Sequence, residues 1–284
     1  MAATLRFVIL ILTLSLTSCQ KEIDWGTGGG NAGTLLYRVS TVSGTDTTMV
    51  DYSYDAAGRL VREKTTGLRS GISMDNDLRI YRNATGVITR TVQQSPAFTA
   101  LGVDSVITAF YYNPAVSRYT AASFSLTLLG FSVTDSAVFT YDGTGKINKD
   151  EHYLSSGALG VPVPAMLMLR NVYNYDPTGN NLLRVTQETA GNPGDPLTQA
   201  MVQTYTVDAA INPLVLLNEA IVLSRPALFN AGNITSVSVS DIANPANNFS
   251  ESNLYFYNRL NRPDSAHSTT TPGGAVNRIA YFYR

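Results

Sequence analysis

From residue 34 onward, apolar and polar residues alternate in short runs, and each run closes on a small polar turn. Alternation puts every second side chain on one face of an extended chain, so this pattern predicts strands and not helices. The clearest unit is Tyr52-Ser53-Tyr54-Asp55-Ala56-Ala57-Gly58-Arg59-Leu60. The same order returns at Tyr141-Asp142 with Gly145 and Ile147, and at Tyr175-Asp176 with Gly179 and Leu182. Weaker copies are centred on Asn83, Asn113, Asp208, Asn230 and Asn258. The spacing stays near thirty residues along the chain, the mark of one supersecondary unit repeated.

Each unit reads as a hairpin. The Asp or Asn side chain accepts a hydrogen bond from backbone further along its own turn. The glycine three residues on supplies the positive φ that closes a four- to five-residue loop, as at Asp55 and Gly58, Asp142 and Gly145, Asp176 and Gly179. One hairpin buries too little to stand alone, and about eight side by side form a sheet that must curl, close or split. The expected fold is all-β: repeated antiparallel hairpins in a large curved sheet or partly open barrel. One segment departs from the pattern. Asn212-Pro213 suits the cap and first turn of a helix, and Leu214, Leu217 and Ile221 follow near helical spacing. A short helix, or an apolar plug, is predicted over 213–224 at one end of the sheet; a buried strand at 214–217 is the alternative.

The first residues carry an address. Arg6 precedes an apolar run from Phe7 to Leu16, about half the length needed to cross a bilayer. The run closes on Leu16, Thr17, Ser18 and Cys19, which resembles the lipobox of bacterial lipoproteins, with residues 1–18 removed and Cys19 lipidated. Cys19 is the chain's single cysteine, so no intramolecular disulfide competes for it. Gln20 is not the Asp that resembles an inner-membrane retention signal, and Glu22 and Asp24 resemble part of the acidic signal of surface-displayed Bacteroidetes lipoproteins. The glycine-rich stretch Gly26 to Gly33 reads as a flexible tether, making 19–33 the anchor region and 34–284 a single β-repeat domain. The expected location is the outer membrane, held by lipid, on either its outer or its periplasmic face.

Composition narrows the functional classes. Charged residues are 14% of the chain and the formal net charge is −1, with no Lys/Arg cluster, so nucleic acid is not an expected partner. The 16 tyrosines and 10 phenylalanines suit strands. Alternate tyrosines are expected to fill the core face with their hydroxyls at its wet rim; a stacking surface for a planar ligand is the alternative.

The stretch Tyr54-Asp55-Ala56-Ala57-Gly58-Arg59-Leu60 resembles the YD repeat of RHS-type proteins, and Tyr141 to Ile147 resembles a degenerate copy. With the lipobox, Asn212-Pro213-Leu214 and the final Ala280-Tyr281-Phe282-Tyr283-Arg284, the chain is similar to uncharacterised Bacteroidetes lipoproteins with YD-like hairpins. The resemblance implies structure and no activity. The wider spacing here, and an Arg after the Gly at Arg59 alone, depart from RHS repeats and their cargo-enclosing shell.

No catalytic constellation stands out. His152 follows a hairpin turn and is expected to be a solvated strand-end side chain; with His267 the only other histidine, no zinc spacing exists. Asp75-Asn76-Asp77 lacks the Gly and Glu of a calcium loop and is expected in a polar turn. The repeated Asp residues already have turn roles, and no nucleophile motif is present. The expectation is a non-catalytic envelope lipoprotein without cofactor or metal, in a binding or structural role, its ligand a glycan, lipid or protein. The alternative is lipid or glycolipid handling in an apolar cavity of the curled sheet.

Overall fold

The computed structural model describes residues 35–128, 131–158, 161–214 and 226–284. Within them lie β1 (Leu36–Ser43), β2 (Asp46–Tyr54), β3 (Leu60–Arg69), β4 (Ile72–Arg82) and β5 (Ile88–Gln94). A short helix α1 (Pro96–Ala100) leads into β6 (Val106–Asn113), β7 (Arg118–Leu128), β8 (Phe131–Tyr141), β9 (Ile147–Ala158) and β10 (Val161–Tyr175). Then come β11 (Leu182–Thr189), β12 (Thr198–Val207), β13 (Ile234–Asp241), β14 (Phe249–Tyr257), β15 (Pro263–Thr271) and β16 (Val276–Tyr283). Each strand pairs antiparallel with its chain neighbours, and β1 pairs with β16, so the sheet is a closed barrel. The hairpins predicted from the repeat are there, and the partly open alternative is corrected: closure removes both sheet edges, which would otherwise present unpaired backbone groups.

The repeated turns all fall at one end of the barrel. Asp55, Asn83, Asp142 and Asn258 build one and the same loop. In the first, the Asp55 N–H donates to the Arg59 carbonyl at 2.9 Å and the Gly58 N–H donates to the Asp55 carbonyl at 3.0 Å. Asp55 Oδ1 then accepts from the N–H groups of Ala57 and Arg59, at 2.9 and 3.0 Å. Asp176 closes a loop one residue longer, onto the Asn181 carbonyl. A register shift sits just before the turn in each of these hairpins, for example between Ser53 and Tyr54 and between Thr140 and Tyr141. Such bulges bend a strand and raise its twist, so a ring of them curls the sheet at this rim.

Asn230 is the exception among the eight repeat positions. It belongs to the long connection between β12 and β13, where its side chain accepts from the Leu182 N–H. That connection enters the barrel. Leu228 clusters with Leu36, Tyr52, Leu60, Ile80, Ile88 and Tyr283 on one wall. Phe229, its chain neighbour, packs against Leu182, Val185, Tyr205 and Ile234 on the opposite wall. The 3-10 turn Pro226–Phe229 therefore places side chains against two walls of the barrel at this end. The helix or plug predicted over 213–224 lies outside the described residues from 215 onward; Leu214 and Leu228, on either side of it, pack in the barrel's core cluster.

The tyrosines line the same end. Tyr52, Tyr205 and Tyr283 are buried. Their neighbours use the hydroxyl as a staple onto backbone: Tyr54 donates to the Leu36 carbonyl and Tyr141 to the Tyr119 carbonyl, both at 2.6 Å, and Tyr283 donates to that of Pro263 at 2.9 Å. Burial pushes the Tyr54 hydroxyl up to about 12, against the opposing charge of Arg284. Burial likewise raises Tyr205, Tyr255, Tyr281 and Tyr283, which stay neutral in the fold. Most of the tyrosines form a core and not a display surface.

Candidate functional site

Three surfaces could carry function: the outer wall, the middle of the lumen and the end opposite the plug. The outer wall follows from register. Tyr52 faces the lumen and lies opposite Glu63, so their neighbours Asp51, Ser53, Arg62 and Lys64 face out. Arg62 grips Asp77 through two hydrogen bonds of 2.7 and 2.8 Å, and Arg79 holds the same carboxylate from the other side. Arg38 pairs with Asp51 at 2.6 Å, and Arg170 joins Glu151 and Glu188 at 2.9 and 3.0 Å, likewise on the outside. Between these clusters run hydroxyl pairs, Ser125 with Thr134 and Thr127 with Ser132. A barrel that spans a bilayer presents an apolar band about 25 Å tall to lipid. Here charged groups stand in the middle of strands on that face, where each would cost about 2–4 kcal/mol in lipid. These polar clusters share the outer face with exposed apolar side chains, among them Ile107, Tyr111, Val138, Leu254 and Phe256.

This corrects one expectation. Asp75-Asn76-Asp77 is not a turn: it lies within β4, with Asp75 reaching toward Lys64 at 3.5 Å and Asp77 between its two arginines. Burial works against ionisation of Asp77, and the hydrogen bonds from Arg62 and Arg79 outweigh it, holding the carboxyl below the usual range.

His152 is the second correction. It is not at a solvated strand end. It lies opposite Ala137 on the lumen face of β9, between two carboxylates. Nδ1 is 2.8 Å from Asp135 and Nε2 is 3.4 Å from Asp150. Asp150 also accepts from Asn171 at 2.8 Å and from the Tyr173 hydroxyl at 2.6 Å. Desolvation favours neutral imidazole, but the two carboxylates outweigh it and push His152 up to about 10, so it is an imidazolium at neutral pH. With both nitrogens donating, the ring has no lone pair for a metal or for base catalysis. The carboxylates are equally committed. The arrangement is a buried charge triplet that ties β8, β9 and β10 together. Sequence reasoning missed it because Asp135 and Asp150 look like ordinary polar members of alternating strands; the available signal was parity, since Asp135 shares its face with apolar Val133 and Ala137.

The predicted turn residues Asp55, Gly58, Asp142, Gly145, Asp176 and Gly179 all sit on the plugged rim and meet no common cavity. Their environments are local. The Arg59 backbone and side chain lower Asp55, the Thr144 hydroxyl does most to lower Asp142, and for Asp176 desolvation is the largest single influence but the hydrogen bonds from Thr178, Asn181 and Asn180 together outweigh it. The Arg59 guanidinium also lies over Gly86 of the next turn, where a Cβ would come within 1.9 Å of it. A second copy of that Gly-Arg pair went unnoticed in the sequence: Asn261 takes the positive φ of Gly58, with φ of 56°, and Arg262 follows it. Leu16, Thr17, Ser18 and Cys19 lie outside the described residues.

The end opposite the plug carries the β1–β2, β3–β4 and β15–β16 turns. A recess of about 410 Å³ lies there, walled by Thr41, Ser43, Asp46, Thr48 and Thr270 with the β3–β4 turn at Ser70. Its lining mixes these hydroxyls and Asp46 with Leu68, Arg69, Pro272 and Ala275. At the plugged end, the gap beside Pro213 and Leu214 is about 20 Å³, room for one water.

A closed antiparallel barrel of sixteen strands among the described residues, with Leu228 and Phe229 packed inside one rim, is the class these features define. No protein-family model matches the chain. No curated protein matches it either. Among solved structures, it is similar to a porin-like protein from Bacteroides uniformis at 11% identity, covering 90% of this chain and 99% of that one with a TM-score of 0.55, which shows a shared fold. A porin-like protein from Bacteroides vulgatus matches at 11% identity over 88% of this chain and 99% of the other, TM-score 0.44. A Photorhabdus luminescens Tc holotoxin pore chain matches over 78% of this chain and 12% of its own, at 14% identity and TM-score 0.28. The last two bear no weight at those scores.

Proposed function

We propose that this protein is a non-catalytic cell-envelope lipoprotein of the outer membrane, whose barrel stands in water beside the bilayer and serves a binding or structural role. The observation that carries the reading is the set of arginine–carboxylate and hydroxyl pairs placed mid-strand on the outer wall, among exposed apolar side chains such as Ile107 and Leu254. A barrel with that wall reaches a membrane through something else, and Cys19 with its glycine-rich tether supplies it. Lipid on Cys19, palmitate among its acyl chains, is the membrane partner in this reading. The geometry gives the anchor a direction. β1 begins at Leu36 on the plugged rim, where the Leu35 N–H meets the Arg284 carbonyl at 3.1 Å. The described chain therefore begins on the plugged rim. A pore is disfavoured twice, by the wall and by the plug. An enzyme is disfavoured because the buried His152, Asp135 and Asp150 are engaged with one another and with Asn171 and Tyr173.

Metabolic labelling with a lipid analogue tests the anchor. Wild type should take label and the Cys19→Ala variant should not. Surface protease on the same cells then assigns the leaflet face. Label on neither protein would remove the anchor from the account.

A further inference from the structure

Exposed aromatic side chains divide by end of the barrel. Among the described residues, Tyr81, Tyr111, Phe256 and Tyr257 are exposed at the plugged rim, each within two residues of its strand's end there. Tyr81 lies opposite Arg90, Tyr111 opposite Ala121, and Phe256 two places beyond Leu254, so these three project from the outer wall. At the far end the exposed aromatics are Phe131 and Phe249. They take the lumen parity: Phe131 shares its face with Asp135, and Phe249 lies opposite buried Val239.

The turns of the plugged rim add apolar tips. Leu260 is 48% exposed. It holds the place in its loop that Ala57, Thr85 and Thr144 hold in sister turns, two residues past the Asn or Asp that accepts its N–H. Thr85 and Thr144 also donate their hydroxyls into the loop at 2.7 Å. Leucine contributes nothing of that kind and leaves an apolar group in solvent. Ile211 is fixed beside this turn, its N–H donating to the Asn261 carbonyl at 3.0 Å. Val116, 53% exposed, tips the β6–β7 turn. The β6–β7 and β14–β15 turns stand half a circuit apart in the ring of sixteen strands, so a surface that meets both tips lies across the rim.

Separate apolar tips on opposite sides of a rim, with aromatic rings just behind them, fit a broad apolar layer beneath a polar one. A bilayer interface has that order, and amphipathic rings settle at its headgroup level. Acids and bases alternate on the rim, as at Asp55 and Arg59, so the contact needs no anionic lipid. Leu35 pairs with Arg284 at this rim. Cys19 lies sixteen residues before Leu35, a reach of about 55 Å at full extension, so a lipid there meets this end of the barrel first. The far end exposes apolar side chains too, Ile72, Ile242 and Val276 among them, but it has neither the outward aromatics nor the start of β1.

We propose that the plugged rim rests on the surface of a zwitterionic bilayer through Val116, Ile211 and Leu260, with Tyr81, Tyr111 and Phe256 at headgroup level. The inference rests on the lipid-anchor reading above and gives that anchor an orientation. Three side chains make a weak contact by themselves, and the lipid supplies the local concentration that keeps it formed. The contact therefore orients a tethered barrel and releases an untethered one.

The test uses the full lipidated chain in phosphatidylcholine–phosphatidylethanolamine vesicles. The Cys19 thiol is taken by lipid, so one introduced cysteine, Ala57→Cys on the rim or Ile242→Cys at the far end, carries a spin label. Its accessibility to oxygen, which partitions into lipid, is compared with that to a nickel chelate, which stays in water. The rim label should shift toward oxygen and lose nickel contact, and the far-end label should read as in water. Val116→Asp/Leu260→Asp, at exposed turn positions, should keep the β-sheet circular dichroism spectrum and return the rim label to its aqueous reading. Equal readings at the two ends, or a rim signal that survives the double variant, overturns the docking. Lipid labelling of Cys19 intact beside either result removes the rim contact alone and leaves the anchor standing.

Discussion

Substituting His152 tests the charge triplet. The ring is one-fifth exposed, and its partners Asp135 and Asp150 are buried, with side-chain exposures of 7% and 10%. His152→Leu keeps the volume and removes the cation, leaving Asp135 without the group that neutralises it. Breaking a buried pair from one side costs about 3–5 kcal/mol. The imidazole pKa gives the same scale: the rise from 6.5 to about 10 corresponds to roughly 4–5 kcal/mol at about 1.4 per unit. Residual exposure argues for the lower end, about 3 kcal/mol. The pH dependence has a definite sign. Because the folded pKa is raised, the stabilisation is complete below pH 6.5 and is lost as pH rises through about 10. Urea unfolding of wild type and variant, at intervals between about pH 6 and 9.5, reads both quantities; above that window, tyrosines held neutral in the fold begin to ionise in the unfolded chain. Wild type should lose stability across the window and the variant should lack that loss. The double variant Asp135→Asn/His152→Leu should recover part of the cost. A wild-type profile that stays flat, with the single variant within about 1 kcal/mol of it, would refute the triplet.

Other perturbations probe the rim and the plug. Gly58→Ala places a side chain at φ of 74° with open space around it, and Gly86→Ala places one at φ of 86° against the Arg59 guanidinium. The first should cost about 1–2 kcal/mol and the second more; in an Arg59→Ala background the two costs should converge, as read from urea midpoints. Leu228→Ala, at a plug residue 7% exposed, should cost about 2–5 kcal/mol and speed amide exchange at the plugged end. Asn230→Ala takes away the acceptor of the Leu182 N–H, for about 1–3 kcal/mol, with the same exchange signature.

How far the fold was legible depended on whether the signal was local. The Asp-x-x-Gly order at Asp55, Asp142 and Asp176 declares a turn through bonds made within five or six residues, so hairpin number and turn chemistry could be read directly. Closure could not, because the β1–β16 pairing joins segments about 240 residues apart, and nothing in the local pattern marks Ser43 and Asn277, or Tyr37 and Phe282, as partners. The charge triplet was hidden for a related reason. Asp135, Asp150 and His152 meet across β8 and β9, and their common face is defined only once register is known. The spacing at Asn230 misled: it keeps the Asn-x-Gly flavour of a turn while serving the plug.

Cleaving the tether tests the central claim most directly. A protease site is placed within the stretch Gly26 to Gly33 of the full chain, membranes bearing the lipidated protein are collected, and protease is added without detergent. The account predicts that the barrel passes into the aqueous phase, stays there as a folded species and keeps its β-sheet spectrum. A barrel that remains with the membrane pellet after complete cleavage, and leaves it only in detergent, would contradict it.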